Sequence, residues 1–348
     1  MVLKQMDFYG HQQIMFIRDE KTGLRGIIAV HDTTLGPALG GTRMWNYGSE
    51  DDALYDVLRL SQGMTMKNAA AGLALGGGKA VIIGDAKTMK TPALLEAYAK
   101  FVDSLGGIYN TAEDMNINSN DIDYMSKFTK HVVGTSAVSS DPSPFTAKGV
   151  FNGMRAGMVS RYGSDSFKGK TIAVQGLGSV GYDLCGLLHK AGASLIVFDI
   201  DEQKTRKAVT EFGARAVSKD EILTVKCDIL SPCAMGAVLN ENNTDLLKCD
   251  MVAGSANNIL ATPEVGMALL KRDILYLPDY IINAGGVINC GAELMGSYNV
   301  DYINTKVEQI FDTTRSILDK ASKEKIPTNI AADSFVRNII DQAKKNKK

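Results

Sequence analysis

Lys67, Lys79 and Asp114 are the side chains of this sequence best suited to moving protons. Lys79 closes the run Gly76-Gly77-Gly78-Lys79, and residues 80–83 after it read as a short buried strand. A lysine on a glycine-walled strand edge is a group held in a narrow cleft. Lys67 falls near the end of the preceding helix. If the two ammonium groups converge, burial and mutual repulsion depress one of them toward neutrality and make it a general base. Otherwise each is a solvated surface lysine. The glycine run is no Walker A loop, because Lys79 is followed by Ala80 and a strand rather than by a hydroxyl residue and a helix. Asp114, in Thr111-Ala112-Glu113-Asp114, follows a strand over residues 106–110. A carboxylate there exchanges protons, holds an ammonium group, or simply caps a turn.

A second set of residues points to a dinucleotide. Gly176-Leu177-Gly178-Ser179-Val180-Gly181 matches GxGxxG, directly follows the strand-like 171–175 and opens a helical stretch. Gly176 suits a tight turn, Gly178 a close approach of pyrophosphate, and Gly181 close helix–sheet packing; Ser179 and Val180 complete the turn. Asp199, about 20 residues on, ends the next strand, where a carboxylate accepts from ribose hydroxyls and repels a 2′-phosphate. NAD is therefore expected over NADP. Asn257, Asn258 and Asn283 follow later strands, where amides orient a nicotinamide carboxamide or make turns.

The elements that must carry these groups alternate strand and helix. Residues 26–31 read as a strand, Ser49 and Asp52 as a capping box opening a helix, and Thr91-Pro92 as the start of another. Asp141-Pro142-Ser143-Pro144 reads as a hinge, with helix from 147 to 162 beyond it. The alternation continues through strands near 194–198, 228–230, 251–253 and 274–277. The expected fold is α/β, with two domains separated by a cleft. Residues 1–140 form an α/β substrate-binding and catalytic domain, and 141–324 an NAD-binding Rossmann domain. A C-terminal helix, about 325–348, packs back on the first domain, and its basic end, residues 344–348, is expected to be a frayed, solvated tail.

Composition narrows the function classes. With 348 residues, 38 Lys+Arg against 39 Asp+Glu and a net charge of -1, the chain has no basic footprint for nucleic acid. No apolar run reaches the ~20 residues of a membrane span. The five cysteines are scattered without a CxxC, and the four histidines never fall at metal-ligand spacing, so no metal is expected. A reducing cytoplasm suits this pattern.

Gly40-Gly41-Thr42-Arg43-Met44, Gly63-Met64-Thr65-Met66-Lys67-Asn68, Gly76-Gly77-Gly78-Lys79, Thr111-Ala112-Glu113-Asp114 and Pro278-Asp279-Tyr280-Ile281-Ile282-Asn283-Ala284-Gly285-Gly286 appear in this order over nearly the whole chain. Together they resemble the amino-acid dehydrogenase superfamily, on its leucine, valine and phenylalanine branch. The resemblance implies reversible NAD-dependent oxidative deamination of an L-amino acid to a 2-oxo acid and ammonia, by a homo-oligomer. It implies that Lys67 pairs with the substrate carboxylate, Lys79 is the base that activates water, and Asp114 exchanges protons with the amino group. Asn258, with Asn257 a weaker choice, and Asn283 would face the nicotinamide. The pocket would include Leu39, Gly40, Met64, Ala112, Thr146, Val287 and Cys290. Glutamate-specific relatives carry a lysine where this chain has Leu39, so glutamate is a poor fit; phenylalanine-preferring ones tend to carry Gly at Ala112. A branched-chain aliphatic substrate is expected, with phenylalanine the alternative. Met115-Asn116 departs from the Val-Gly that leucine-type members usually carry. A hydroxy-acid dehydrogenase would rely on a histidine acid/base, and none falls in these motifs. A catalytically silent NAD-binding protein would not need Lys67, Lys79 and Asp114.

Overall fold

In a computed structural model the chain is described over residues 2–139, 141–234, 236–296 and 298–347. It divides into two compact units. One comprises Met1–Ser140, Val287–Asn299 and Arg337–Lys348; the other comprises Asp141–Gly286 and Val300–Val336. Residues 287–299, assigned by sequence order to the dinucleotide domain, thus pack with the first unit, and residues 325–336 with the second.

The first unit is built on strands β1 (Gln13–Asp19), β2 (Leu24–Asp32), β3 (Ala38–Leu39), β4 (Thr42–Trp45), β5 (Gly76–Ile83) and β6 (Tyr109–Asn110). Their order is β1-β2-β5-β3-β6, with β4 also on β5. The β1–β2 and β2–β5 pairs are antiparallel, whereas β3, β4 and β6 join in parallel. The glycine run lies inside β5, a central strand, and not at a strand edge as the sequence suggested. A Cβ on Gly77 would overlap Thr65, and one on Gly78 would come within 2.6 Å of the Tyr109 ring. These glycines therefore let the strand lie against its neighbours.

Helix Glu50–Ala70 starts at Ser49, whose side chain accepts from Asp52 N, as the spacing predicts. Its buried face (Ala53, Leu54, Val57, Leu58) packs on Ile27, Ala29 and Val81, and its last turn carries Lys67. Helix Pro92–Ser104, capped by Thr91, buries Leu94, Leu95, Tyr98 and Val102 against the other face of the sheet. Of the basic C-terminal end, residues 344–346 form the last turn of helix Thr328–Asn346 rather than a frayed tail, Lys344 Nζ pairs with Asp32 at 3.0 Å, and Lys348 lies outside the described residues.

Two histidines with no metal-like spacing meet in this unit. The rings of His11 and His31 stack edge to face at 4.9 Å; His11 Nε2 contacts Ser61 Oγ at 2.7 Å and His31 Nδ1 contacts Thr65 Oγ1 at 2.8 Å. Ser61 donates to the Val57 carbonyl, so His11 donates to Ser61 and its Nδ1 is left buried without a partner. Burial, reinforced by the facing His31, pushes His11 down to about 4, and burial also lowers His31. The unfolded chain takes up the proton first, near the ordinary histidine value of 6.5. Stability is therefore full above pH 6.5 and falls as pH drops toward 4, by on the order of 3 kcal/mol from His11. Melting temperatures across that window should show the loss, and His11→Phe should flatten it; an equal slope in both proteins would assign the acid sensitivity elsewhere.

The second unit holds β7 (Thr171–Gln175), β8 (Ser194–Phe198), β9 (Arg215–Ala216), β10 (Ile229–Pro232), β11 (Met251–Val252) and β12 (Leu275–Tyr276). They form one sheet in the order β12-β11-β10-β7-β8-β9, every pair parallel. Counted from β7, this is the 3-2-1-4-5-6 order of a doubly wound dinucleotide fold, with its switch point between β7 and β10. Helix Ser143–Tyr162 begins at the expected hinge, with Pro142 as its N-cap and Pro144 in its first turn. Proline there removes no helical hydrogen bond, so the helix starts earlier than the two prolines suggested. No helix among the described residues is long and apolar enough to cross a membrane.

Candidate active site

The segment 38–44 is laced backbone to backbone to the segment that carries Asp114. Ala38 N donates to Ile108 O, Gly40 N to Asn110 O, Thr42 N to Ala112 O and Met44 N to Met115 O. A Cβ on Gly40 would overlap the Gly78 carbonyl, and one on Gly41 would lie 3.0 Å from Asp114 Cβ, so these segments close up only with glycine there. Below them, Thr42 Oγ1 hydrogen-bonds Thr111 Oγ1 at 2.6 Å and the Tyr98 hydroxyl, and Tyr109 Oη donates to Gly40 O at 2.6 Å. All four side chains are buried, so this network fixes the bend between β3 and β4.

On that base Lys79 Nζ meets Asp114 Oδ1 at 3.1 Å. Lys79 is buried, 6% exposed, in a strand whose neighbours are apolar. The second Asp114 oxygen accepts from Arg43 Nε at 2.9 Å, and Arg43 Nη1 donates to Asp56 at 3.0 Å. Burial alone would raise the Asp114 carboxyl, but the charges and hydrogen bonds of Lys79 and Arg43 outweigh it and hold it well below the usual carboxylate range. Lys79 thus meets a carboxylate; the partner that sequence reasoning offered it was Lys67, which sits half-buried in the last turn of helix Glu50–Ala70.

The apolar candidates of this unit also meet. Leu39 and Ala112 are buried in one cluster with Leu73, Leu75 and Val133, and Val287 and Cys290, on helix Gly285–Leu294, pack against it. Burial pushes the Cys290 thiol up to about 12, so it behaves as a small neutral side chain. Met64 lies beside Gly40, its Cγ 3.0 Å from where a Cβ on that glycine would stand. Glu293, on the same helix as Cys290, accepts from Gly134 N at 2.7 Å and Thr135 Oγ1 at 2.9 Å, tying that helix to the segment after Val133.

The remaining candidates belong to the second unit. Gly176 has φ +99, and a Cβ on Gly181 would overlap Gly176 O, as a tight turn into a closely packed helix requires. A Cβ on Gly178 would meet nothing within 4 Å, and this residue is the N-cap of helix Ser179–Lys190 with no side-chain hydrogen bond. Gly178 and Ser179 are exposed and Val180 half-buried. The helix N-terminus is therefore open to an anion. Asp199 accepts from Leu177 N at 2.6 Å and Asp201 N at 2.8 Å, which orients its carboxylate beside the glycine turn. Asn283 is buried; its Nδ2 donates to Ser255 O at 3.1 Å and Asn257 Oδ1 at 2.9 Å, and its Oδ1 has no partner. A buried amide oxygen without a donor fits a carboxamide N–H. Asn258 is exposed at φ +52 and accepts from Ala237 N; the structure joins Asn283 to Asn257, the less favoured of the two sequence choices. Thr146 sits at the start of helix Ser143–Tyr162, its hydroxyl donating to Pro142 O at 3.0 Å.

Sequence reasoning gave no role to Arg43, Asp56 or Tyr47. Arg43 was visible in the Gly40-Gly41-Thr42-Arg43 motif; Asp56 and Tyr47 carried no local signal.

A parallel sheet in this order, with a glycine turn after its first strand and a carboxylate after its second, is a dinucleotide-binding fold. The comparisons with known proteins give the family. Residues 11–131 match the Glu/Leu/Phe/Val dehydrogenase dimerisation domain, and residues 195–346 match Glutamate/Leucine/Phenylalanine/Valine dehydrogenase. The chain is 48% identical over 347 residues to the leucine dehydrogenase of Geobacillus stearothermophilus, covering 99% of this chain and 94% of that protein. It is 43% identical over 340 residues to the phenylalanine dehydrogenase of Thermoactinomyces intermedius, covering 96% and 93%. The crystal structure of L-tryptophan dehydrogenase from Nostoc punctiforme superposes with a TM-score of 0.89 at 42% identity, covering 99% and 100%. The chain belongs to the Glu/Leu/Phe/Val dehydrogenase family. It is an amino-acid dehydrogenase, an oxidoreductase that deaminates an L-amino acid to its 2-oxo acid with a nicotinamide dinucleotide.

Proposed function

We propose that this protein oxidises branched-chain aliphatic L-amino acids, leucine foremost, with NAD as its cofactor. The observation that carries the substrate class is the apolar cluster of Leu39, Ala112, Val287 and Cys290 beside the Lys79–Asp114 pair's own motifs. A glutamate side chain set against Leu39 would leave a buried carboxylate without a cation, which costs several kcal/mol. NAD is supported by Asp199: a carboxylate held at the glycine turn repels a 2′-phosphate. NAD, when bound, would supply the acceptor for the hydride that leaves the substrate α-carbon. The roles of the side chains follow from their charge and reach. Lys67 is a fixed cation for the substrate carboxylate. Asp114, anionic in the resting enzyme, accepts a proton from the substrate ammonium. Loss of hydride from the neutral amine leaves an iminium; Lys79 takes a proton from the water that attacks its carbon, Asp114 returns its proton to the amino nitrogen, and Asp114 then accepts the hydroxyl proton as the C–N bond breaks and ammonia leaves, the two side chains lying 3.1 Å apart. Gly176, Gly178, Ser179, Val180 and Gly181 would hold the pyrophosphate, and Asn258 and Asn283 would serve the nicotinamide. We also infer a cytoplasmic homo-oligomer, supported by the dimerisation domain matched over residues 11–131 and by the scattered cysteines.

Reduction of NAD and of NADP should be followed with L-leucine, valine, isoleucine, phenylalanine, tryptophan and glutamate. The aliphatic substrates should lead in kcat/KM, with glutamate at least about a hundred-fold lower. Comparable kcat/KM with NAD and NADP would remove the role given to Asp199, and an aromatic substrate in the lead would remove the aliphatic assignment.

A further inference from the structure

Asp114 is gripped from a second side that the proton transfers do not in themselves call for. Oδ1 faces Lys79 Nζ at 3.1 Å, whereas Oδ2 accepts from Arg43 Nε at 2.9 Å. Arg43 in turn donates from Nη1 to Asp56 Oδ2 at 3.0 Å, and the same oxygen accepts from Tyr47 Oη at 2.6 Å. These side chains come from β4, from the loop after it and from helix Glu50–Ala70, and all are at least partly buried. We propose that Arg43, steered by Asp56 and Tyr47, is a positioning residue that pins Oδ2 of Asp114, leaves Oδ1 for proton exchange, and keeps the carboxylate anionic while Lys79 is neutral. The proposal rests on the roles given above to Lys79 and Asp114.

Two physical points support it. A carboxylate turns freely about its last bond unless one oxygen is held; a planar guanidinium held at both Nε and Nη1 is a rigid clamp, which an ammonium is not. The second point is charge. A lysine that serves as base must spend part of the cycle uncharged, and burial would then drive the neighbouring carboxyl to pick up a proton. Arginine does not lose its proton, so its charge is present throughout. Two cations, Lys79 and Arg43, are in contact with Asp114. Asp56 is an anion already paired to Arg43. Glu113 neighbours Asp114 in the chain, and with Lys87 and Lys90 it lines a cavity of about 630 Å³ beside it. Lys90 is engaged with Asp121 at 2.6 Å. Tyr47 is neutral, its hydroxyl pushed up by burial and by Asp56.

The test is the pH dependence of kcat and kcat/KM for oxidative deamination in the full-length enzyme, for wild type, Arg43→Met, Arg43→Lys, Tyr47→Phe and Asp114→Asn. Asp114 contacts the charges of both Lys79 and Arg43, so removing the Arg43 charge favours proton uptake by the carboxylate. Arg43→Met should move the acid limb of kcat/KM up by about one pH unit or more and lower kcat at the optimum about ten-fold or more. Arg43→Lys keeps the charge without the fork, so the limb should stay in place while kcat falls. Tyr47→Phe should lower kcat a few-fold with little change in KM. An unmoved acid limb in Arg43→Met, with only a lower melting temperature, would overturn the proposal by making Arg43 a structural ion-pair partner. If Arg43→Met does not fold, Arg43→Lys decides, and wild-type kcat there overturns it. Asp114→Asn separates this from the reading beneath it. Wild-type turnover in Asp114→Asn would remove the role of Asp114 itself, whereas an inactive Asp114→Asn with a normal Arg43→Met removes only the role of Arg43.

Discussion

Lys79→Ala should lose about 10²–10⁴ in kcat while binding NAD with unchanged affinity. Acid–base groups contribute that much when they act in the transition state, which corresponds to about 3–5 kcal/mol. The fold should survive the change. Asp114 keeps Arg43 as a charged partner at 2.9 Å, and the β5 backbone pairs with β2 and β4 whatever the side chain. The glycine turn and Asp199 belong to the other unit, so cofactor affinity is an internal control. Lys79→Met fills the same volume without a titratable group and should be as inactive as Lys79→Ala. Single-turnover kinetics locate the lost step, because a base that activates water acts after hydride transfer. Near-normal turnover in both variants would remove Lys79 from catalysis. Loss of NAD affinity in step with kcat would mean instead that the variant is misfolded.

Ala112→Gly and Cys290→Leu should move the leucine-to-phenylalanine ratio of kcat/KM in opposite directions by about one to two decades. Ala112 is 7% exposed among Leu39, Leu73, Leu75 and Val133, and its carbonyl is already engaged by Thr42 N. Losing its methyl group therefore makes space without releasing a backbone group, and favours the aromatic substrate. Cys290 is half-buried against the same cluster on the helix held by Glu293. Leucine there adds bulk to the space and should harm the larger substrates most. Each methyl-sized change is worth roughly 1.4 kcal/mol, about a factor of ten. If the cluster is ordinary core, both variants lower the melting temperature and total activity and leave the ratio alone. An unchanged ratio in both would thus take Ala112 and Cys290 out of the substrate pocket.

The two charged centres differ in how far the sequence exposed them. The Gly176–Gly181 turn, the helix after it and Asp199 lie within one βαβ stretch, so their spacing alone placed them, and the structure puts Asp199 on Leu177 N. Ser49 and Thr91 were legible for the same reason: a cap needs only the next three residues. The pairing of Lys79 with Asp114 was different. Both residues were visible as candidates, yet their contact depends on β5 and the segment after β6 being brought beside one bent strand.

What the sequence determined by itself was therefore local: the period of each strand and helix, their caps, the glycine turn with its carboxylate, and the order of elements that calls for a parallel sheet. The tertiary structure decided what depends on distant pairs. It joined Arg43 to Asp56 and Asp114, buried His11 against His31, tied Lys344 to Asp32 and returned residues 287–299 to the first unit. It also showed that the Gly76-Gly77-Gly78 run serves close packing inside a central strand. The physical reason is the range of the forces that act. Dihedral preference, capping and turn chemistry are settled within a few residues and leave a mark in the sequence. Ion pairs and packing between distant segments are settled only when burial removes water from both partners, and one chain read in order does not say which segments those will be.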